Sequence, residues 1–126
     1  MNDAERWPEE IELPRSDASG ELTVVLRLQP GLLWFQGHFP VQPIAPGFAQ
    51  IEWALFYAGA RARGLRLSEV GMIKFTRPLY PGERVRLRLR LEPSGGGGVV
   101  RFSFAALTAR GEVPCSRGRL VLCGAS

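Results

Sequence analysis

An α+β domain is what the sequence predicts: one long apolar helix flanked by β-strands. Residues 48–63 are apolar nearly all round at helical spacing, as in a helix buried on every side. Residues 84–91 alternate, with Arg84, Arg86, Arg88 and Arg90 on one face and Val85, Leu87, Leu89 and Leu91 on the other. That period of two gives a strand one core face and one wet face.

The elements follow in order. Residues 1–20 are polar, Pro-containing and aperiodic, and read as an N-terminal arm on which Trp7 docks. Residues 21–126 form the folded domain. Glu21–Leu28 is a strand by its β-branched content, and Pro30-Gly31 ends it. Leu33-Trp34-Phe35 is a short extended piece. The helix runs from Phe48 to Arg63, with Arg61 and Arg63 suited to its C-terminal dipole and Gly64 as its cap. Strands are expected at 70–77, 83–91, 99–108 and 119–123, and Ser94–Gly98 is a flexible hairpin connection.

Composition narrows the function. The chain has 126 residues, 45% of them hydrophobic, which suits one domain with one core. No apolar run reaches the roughly 18 residues of a membrane span. The acidic N-terminus lacks a signal-peptide core, so the expected location is cytoplasmic. Cys115 and Cys123 are too few and too far apart for a metal knuckle and read as free thiols, so neither metal nor cofactor is expected. The net charge is +4, with fifteen Arg and one Lys (Lys74). The arginine face is either a solvated strand face or a contact for an acidic partner or a subunit. Nucleic acid is not the expected partner, because basic and aromatic residues do not interleave.

Residues 37–52 carry the strongest signal. The segment holds His38, the only histidine, then Phe39 and Pro40, then Pro43, Pro46 and Gly47, and finally Glu52 about one and a half turns into the helix. Residues 72–83 add a second pattern, Lys74-Phe75 followed by Pro78, Pro81, Gly82 and Glu83.

Both segments resemble the (3R)-3-hydroxyacyl-ACP dehydratases, whose hot-dog fold wraps an antiparallel sheet around one long central helix, over a stretch from about Glu21 to the C-terminus. Seven positions over sixteen residues match the first motif: His38, Phe39, Pro40, Pro43, Pro46, Gly47 and Glu52. The resemblance implies removal of water from a carrier-bound 3-hydroxyacyl thioester to give the trans-2-enoyl product. That reaction needs a base for the C2 proton, an acid for the departing hydroxyl and donors for the thioester carbonyl. His38 is the candidate base. Glu52, held in an apolar helix, is the candidate acid, since desolvation disfavours its charged form. Gly47 and Phe48 offer backbone N–H groups at the helix start, and Pro46 cannot donate. Phe39, Pro40 and Pro46 shape the loop, while Tyr80 and Phe39 are read as packing residues before tunnel gates. Gln50 is expected to face solvent or a subunit.

The resemblance further implies an acyl carrier protein as partner and a homodimer, a heterodimer with a related subunit, or a larger oligomer. Histidine and acid would then come from different chains. Three departures stand out: Val41 where glycine often follows His-Phe-Pro, Trp53 after the acid, and Phe56 where many members carry a glutamine that bonds the acid. The Pro46–Ala54 run looks closer to the aryl-polyene branch of specialised lipid pathways. Two alternatives remain: a hot-dog thioesterase, and a non-catalytic hot-dog subunit that binds carrier protein or a partner.

Overall fold

The computed structural model describes residues 6–36 and 44–124. Its elements are β1 (Glu9–Ser16), β2 (Leu22–Arg27), a 3₁₀ turn (Leu33–Phe35), α1 (Gly47–Tyr57), β3 (Leu65–Phe75), β4 (Arg84–Ser94), β5 (Gly97–Thr108) and β6 (Gly111–Gly124). The six strands form one antiparallel sheet in the order β1-β2-β4-β5-β6-β3.

The sheet curls around α1. Val24 and Leu26 of β2, Val85, Leu87 and Leu89 of β4, Val100, Phe102, Phe104 and Ala106 of β5, and Leu120 and Leu122 of β6 are buried on the side that holds the helix. Trp53 is the largest fully buried side chain, with its ring edge-on to Phe104 at 6.3 Å between centroids. Burying a side chain of that size contributes roughly 3 kcal/mol or more, and its truncation would cost about 3–5 kcal/mol.

Several elements differ from expectation, each for a local reason. The helix stops at Tyr57 rather than Arg63. Gly59 adopts φ +70°, the Gly59 N–H donates to the Phe56 carbonyl and the Ala60 N–H to the Leu55 carbonyl, and this left-handed cap ends a helix. Residues 33–35 make a 3₁₀ turn instead of an extended piece. The hairpin after β4 is only Gly95-Gly96, since Gly97 and Gly98 already pair with Ser94 and Pro93. A side chain on Gly97 would collide with the Leu122 carbonyl of β6, so glycine lets the strands approach.

The N-terminal arm is extended and carries β1, an edge strand of the same sheet. Trp7 docks, as expected, with its ring 4.7 Å from Phe56. The Arg6 carbonyl accepts from the indole N–H groups of Trp34 and Trp53 at 3.3 and 3.5 Å. Burial raises the Tyr57 phenol pKa, and the neighbouring Glu10 carboxylate, hydrogen-bonded to it, pushes it further up. The arm therefore straps the C-terminal half of α1.

The two sheet edges contrast. β1 exposes Ile11 and Leu13, but it also bears Glu9, Glu10, Glu12, Arg15 and Pro14, which blunt an edge against further pairing. β3 bears the exposed Leu67, Val70, Met72 and Phe75. Its long apolar edge is the kind that pairs with another chain.

Candidate active site

The two sequence motifs meet in space. The Ala45 N–H donates to the Leu79 carbonyl at 2.9 Å, joining the segment that enters α1 to the Pro78–Glu83 loop. That loop is closed by Arg77 and Glu83, whose two nitrogens and two oxygens pair at 2.9 and 2.7 Å, while the Tyr80 N–H donates to Glu83 at 2.8 Å. Burial opposes charge on Glu83. The hydrogen bonds from Arg77 and Tyr80 and the Arg77 charge outweigh it and hold the carboxyl below the ordinary range. Tyr80 lies under the Arg77 guanidinium, 5.3 Å from ring centroid to carbon. It packs against the loop, in line with the packing role read for it.

Pro46 is the N-cap of α1, in extended backbone. The Ala49 and Gln50 N–H groups donate to its carbonyl at 3.1 and 3.3 Å. Among the described residues the N–H groups of Gly47 and Phe48 have no acceptor. Two donors at a positive dipole end are thus available to an oxygen. Phe75 of β3 closes over this turn: a β-carbon on Gly47 would lie 2.7 Å from the tip of its ring.

Glu52 is on the exposed side of α1, between Phe48 and Phe56, which are four residues away on either side and themselves more than half exposed. This corrects the reading of α1 as a helix buried all round. One ridge, Phe48–Glu52–Phe56, faces out of the single chain. The Glu52 carboxylate is therefore not desolvated by its own helix. Phe56 packs against Trp7 with the rings tilted by 40° and lies edge-on to Tyr57 at 5.0 Å, so aromatic packing with the arm occupies the place where a glutamine was considered.

Gln50 departs from expectation in the other direction. It is buried, accepts a 2.7 Å hydrogen bond from the Ser116 hydroxyl of β6, and donates to the Ala45 carbonyl at 3.3 Å. It fixes the first turn of α1 to the sheet. His38, Phe39, Pro40, Val41 and Pro43 lie outside the described residues. Cys115 is a buried free thiol at the β-bulge opposite Phe104 and Ala105, and Cys123 is a half-buried one.

A single helix held against a six-stranded antiparallel sheet, with amides at the helix start that have no acceptor among the described residues and a carboxylate on its exposed ridge, defines a hot-dog protein of the dehydratase type. The sequence matches the ApeI-like family (ApeI dehydratase) over residues 14–119, and the chain belongs to that family. It is 33% identical over 111 residues to the 3-hydroxyacyl-[acyl-carrier-protein] dehydratase FabZ of Roseiflexus sp. (strain RS-1), covering 81% of this chain and 73% of that protein. The dehydratase heterocomplex ApeI:P from Xenorhabdus doucetiae contains a chain that is 36% identical, with TM-score 0.79, covering 93% of this chain and 98% of that one. A thioesterase superfamily protein from Jannaschia Sp. CCS1, at 13% identity and TM-score 0.66 over 89% of this chain and 79% of that one, shares the fold alone. Among the described residues no helix is long and apolar enough to cross a membrane.

Proposed function

We propose that this protein dehydrates a carrier-protein-bound (3R)-3-hydroxyacyl thioester to the trans-2-enoyl thioester. The observation that carries the site is the first turn of α1, where two amides with no acceptor among the described residues stand one turn before the Glu52 carboxylate. The Gly47 and Phe48 N–H groups receive the thioester carbonyl and stabilise negative charge as C2 loses its proton. His38 takes that proton. Glu52 gives a proton to the C3 hydroxyl, which leaves as water while the C2–C3 double bond forms. Afterwards His38 holds one proton more and Glu52 one fewer, and exchange with solvent resets both.

Glu52 on an outward ridge is an incomplete site in one chain. A second subunit, either a copy of this chain or a related hot-dog chain, supplies the cover and the opposing catalytic group. The apolar β3 edge and the Phe48–Phe56 ridge are the surfaces that receive it, and they are continuous through the Phe75–Gly47 contact. Covering the ridge strips water from the carboxylate and favours its proton-donor form. A cytoplasmic setting and an aryl-polyene or similar specialised lipid pathway fit this reading.

The test is mass spectrometry of a carrier-bound 3-hydroxyacyl thioester incubated with the purified protein and with His38→Ala. Loss of one water with the wild type only is expected. Release of free acid would make the protein a thioesterase. An unchanged substrate, with carrier protein still bound, would make it a non-catalytic subunit.

A further inference from the structure

The outer face of the sheet, opposite α1, carries an arrangement the dehydration reaction does not use. The strand register sets Arg90 of β4 opposite Arg101 of β5, and Arg101 opposite Arg119 of β6. One step along, Arg88 faces Ser103, Ser103 faces Arg117, and Arg117 faces Lys74 of β3. Directly opposed residues share a face, and like charges placed so destabilise a sheet. These rows border a hollow of 690 Å³, whose lining contains six cations and only two carboxylates, Glu21 and Glu92. A smaller hollow of 280 Å³ continues it past Lys74 and Arg117.

The charges are only partly neutralised within the chain. Arg101 pairs with Glu92 at 3.1 Å, Arg88 with Glu112 at 3.1 Å, and Arg90 donates to the Ser19 hydroxyl at 2.8 Å. Lys74, Arg117 and Arg119 have no polar partner among the described residues. Among the described residues a repulsive cluster thus remains, in which no acid pairs with three of the cations.

From this geometry we infer that the outer sheet face is a docking groove for an acidic helix of a partner protein. The two rows are about 7 Å apart along the strands, and the longer one spans about 14 Å across four strands. A helix about 10–12 Å across fits that span, and carboxylates three or four residues apart on it lie about 5–6 Å from each other, close to the row spacing. A single phosphate is too small to engage both rows. A single-stranded nucleic acid would want exposed rings for its bases, but the only ring in the lining, Phe102, is buried. The surface lies across the sheet from α1; it reaches Met72 and Lys74 of the β3 edge, while its β4–β6 part, with Arg117 and Arg119, stands apart from the catalytic reading.

The experiment measures fluorescence anisotropy of a labelled 18-residue Glu-rich helical peptide with the full chain at low salt, alongside an oligothymidylate of equal charge and inorganic phosphate as competitor. Arg117→Gln/Arg119→Gln should weaken peptide binding by about tenfold or more. Its thermal midpoint should hold or rise, because repulsion is relieved. The same charge change at Arg61→Gln/Arg63→Gln, near the end of α1, should leave binding within about twofold. Any of four results overturns the inference: no peptide binding by the wild type, equal weakening by both pairs, oligothymidylate binding as tightly as peptide, or displacement by phosphate alone. A lowered midpoint in the Arg117/Arg119 variant would overturn the claim that these charges are held at a cost.

Discussion

The ring of Phe75 sits on the α-carbon of Gly47, so close that a β-carbon there would be 2.7 Å from the ring tip. This contact ties the exposed β3 edge to the helix turn that carries the Gly47 and Phe48 amides. Gly47→Ala forces the ring aside. Because Phe75 is half exposed and meets Gly47 only with the tip of its ring, the cost to folding should stay within about 1 kcal/mol. Turnover should fall much more, since the methyl group occupies the approach to the amides. Phe75→Ala in the same chain should recover stability but not turnover. Urea denaturation and steady-state rates on the two variants check this.

Gln50 and Ser116 form the other fixed point of the turn, buried at 2.7 Å. Gln50→Leu strands the Ser116 hydroxyl and the Ala45 carbonyl and should cost about 1–3 kcal/mol. Ser116→Ala should cost a similar amount. The double variant should cost less than the sum, because each single change leaves a partner unpaired. A double-mutant cycle on urea midpoints measures the coupling.

Acid stability reports the Arg77–Glu83 clasp. The folded Glu83 carboxyl titrates below its ordinary value of 4.5, so the unfolded chain binds its proton first as pH falls. The clasp's stabilisation is complete above that value and is lost as pH drops through the folded value. Glu83→Gln should therefore be about 1–3 kcal/mol less stable than wild type at pH 7, with the gap closing as pH falls below the ordinary 4.5 and through the lower folded value. Thermal midpoints across pH 3–7 check the direction, and a gap that widens toward acid would contradict it.

The β3 edge should carry assembly. Val70→Lys or Met72→Lys places a charge on a strand that now exposes Leu67, Val70, Met72 and Phe75. Either change should shift the protein to monomer in light scattering and leave its circular dichroism intact. Turnover should fall with the loss of the oligomer, because Glu52 then lacks its cover.

The parts of the fold that obey a simple period were legible. The alternation of β4 placed Val85, Leu87 and Leu89 in the core and its arginines outside. The apolar pattern of α1 marked a helix but hid its open side, because Phe48 and Phe56 look like core residues until a partner is considered. Gln50 hid for the opposite reason: its buried polar bond depends on Ser116, far away in sequence. β1 and the start of β3 were missed. β1 is exposed throughout, and bulges between Glu10 and Glu12, Glu12 and Arg15, Leu67 and Glu69, and Val70 and Ile73 break the alternation. The helix end was set by Gly59, whose left-handed backbone a reading of Gly64 as cap did not foresee. Of the proposed site residues, Pro46, Gly47, Phe48 and Glu52 fall on one end and one ridge of α1.

The central claim is a dehydratase site shared between subunits, with His38 from one and Glu52 from the other. Mass spectrometry of a carrier-bound 3-hydroxyacyl thioester tests it most directly, with wild type, His38→Ala, Glu52→Gln, and a mixture of the two variants unfolded and refolded together. Wild type should remove one water, and each variant alone should be slower by about a hundredfold or more. In the mixture, half of the dimers should hold one intact site, restoring about a quarter of wild-type turnover. A mixture as inactive as the separate variants, beside an active wild type, would contradict the shared site. No water lost by the wild type would contradict the dehydratase.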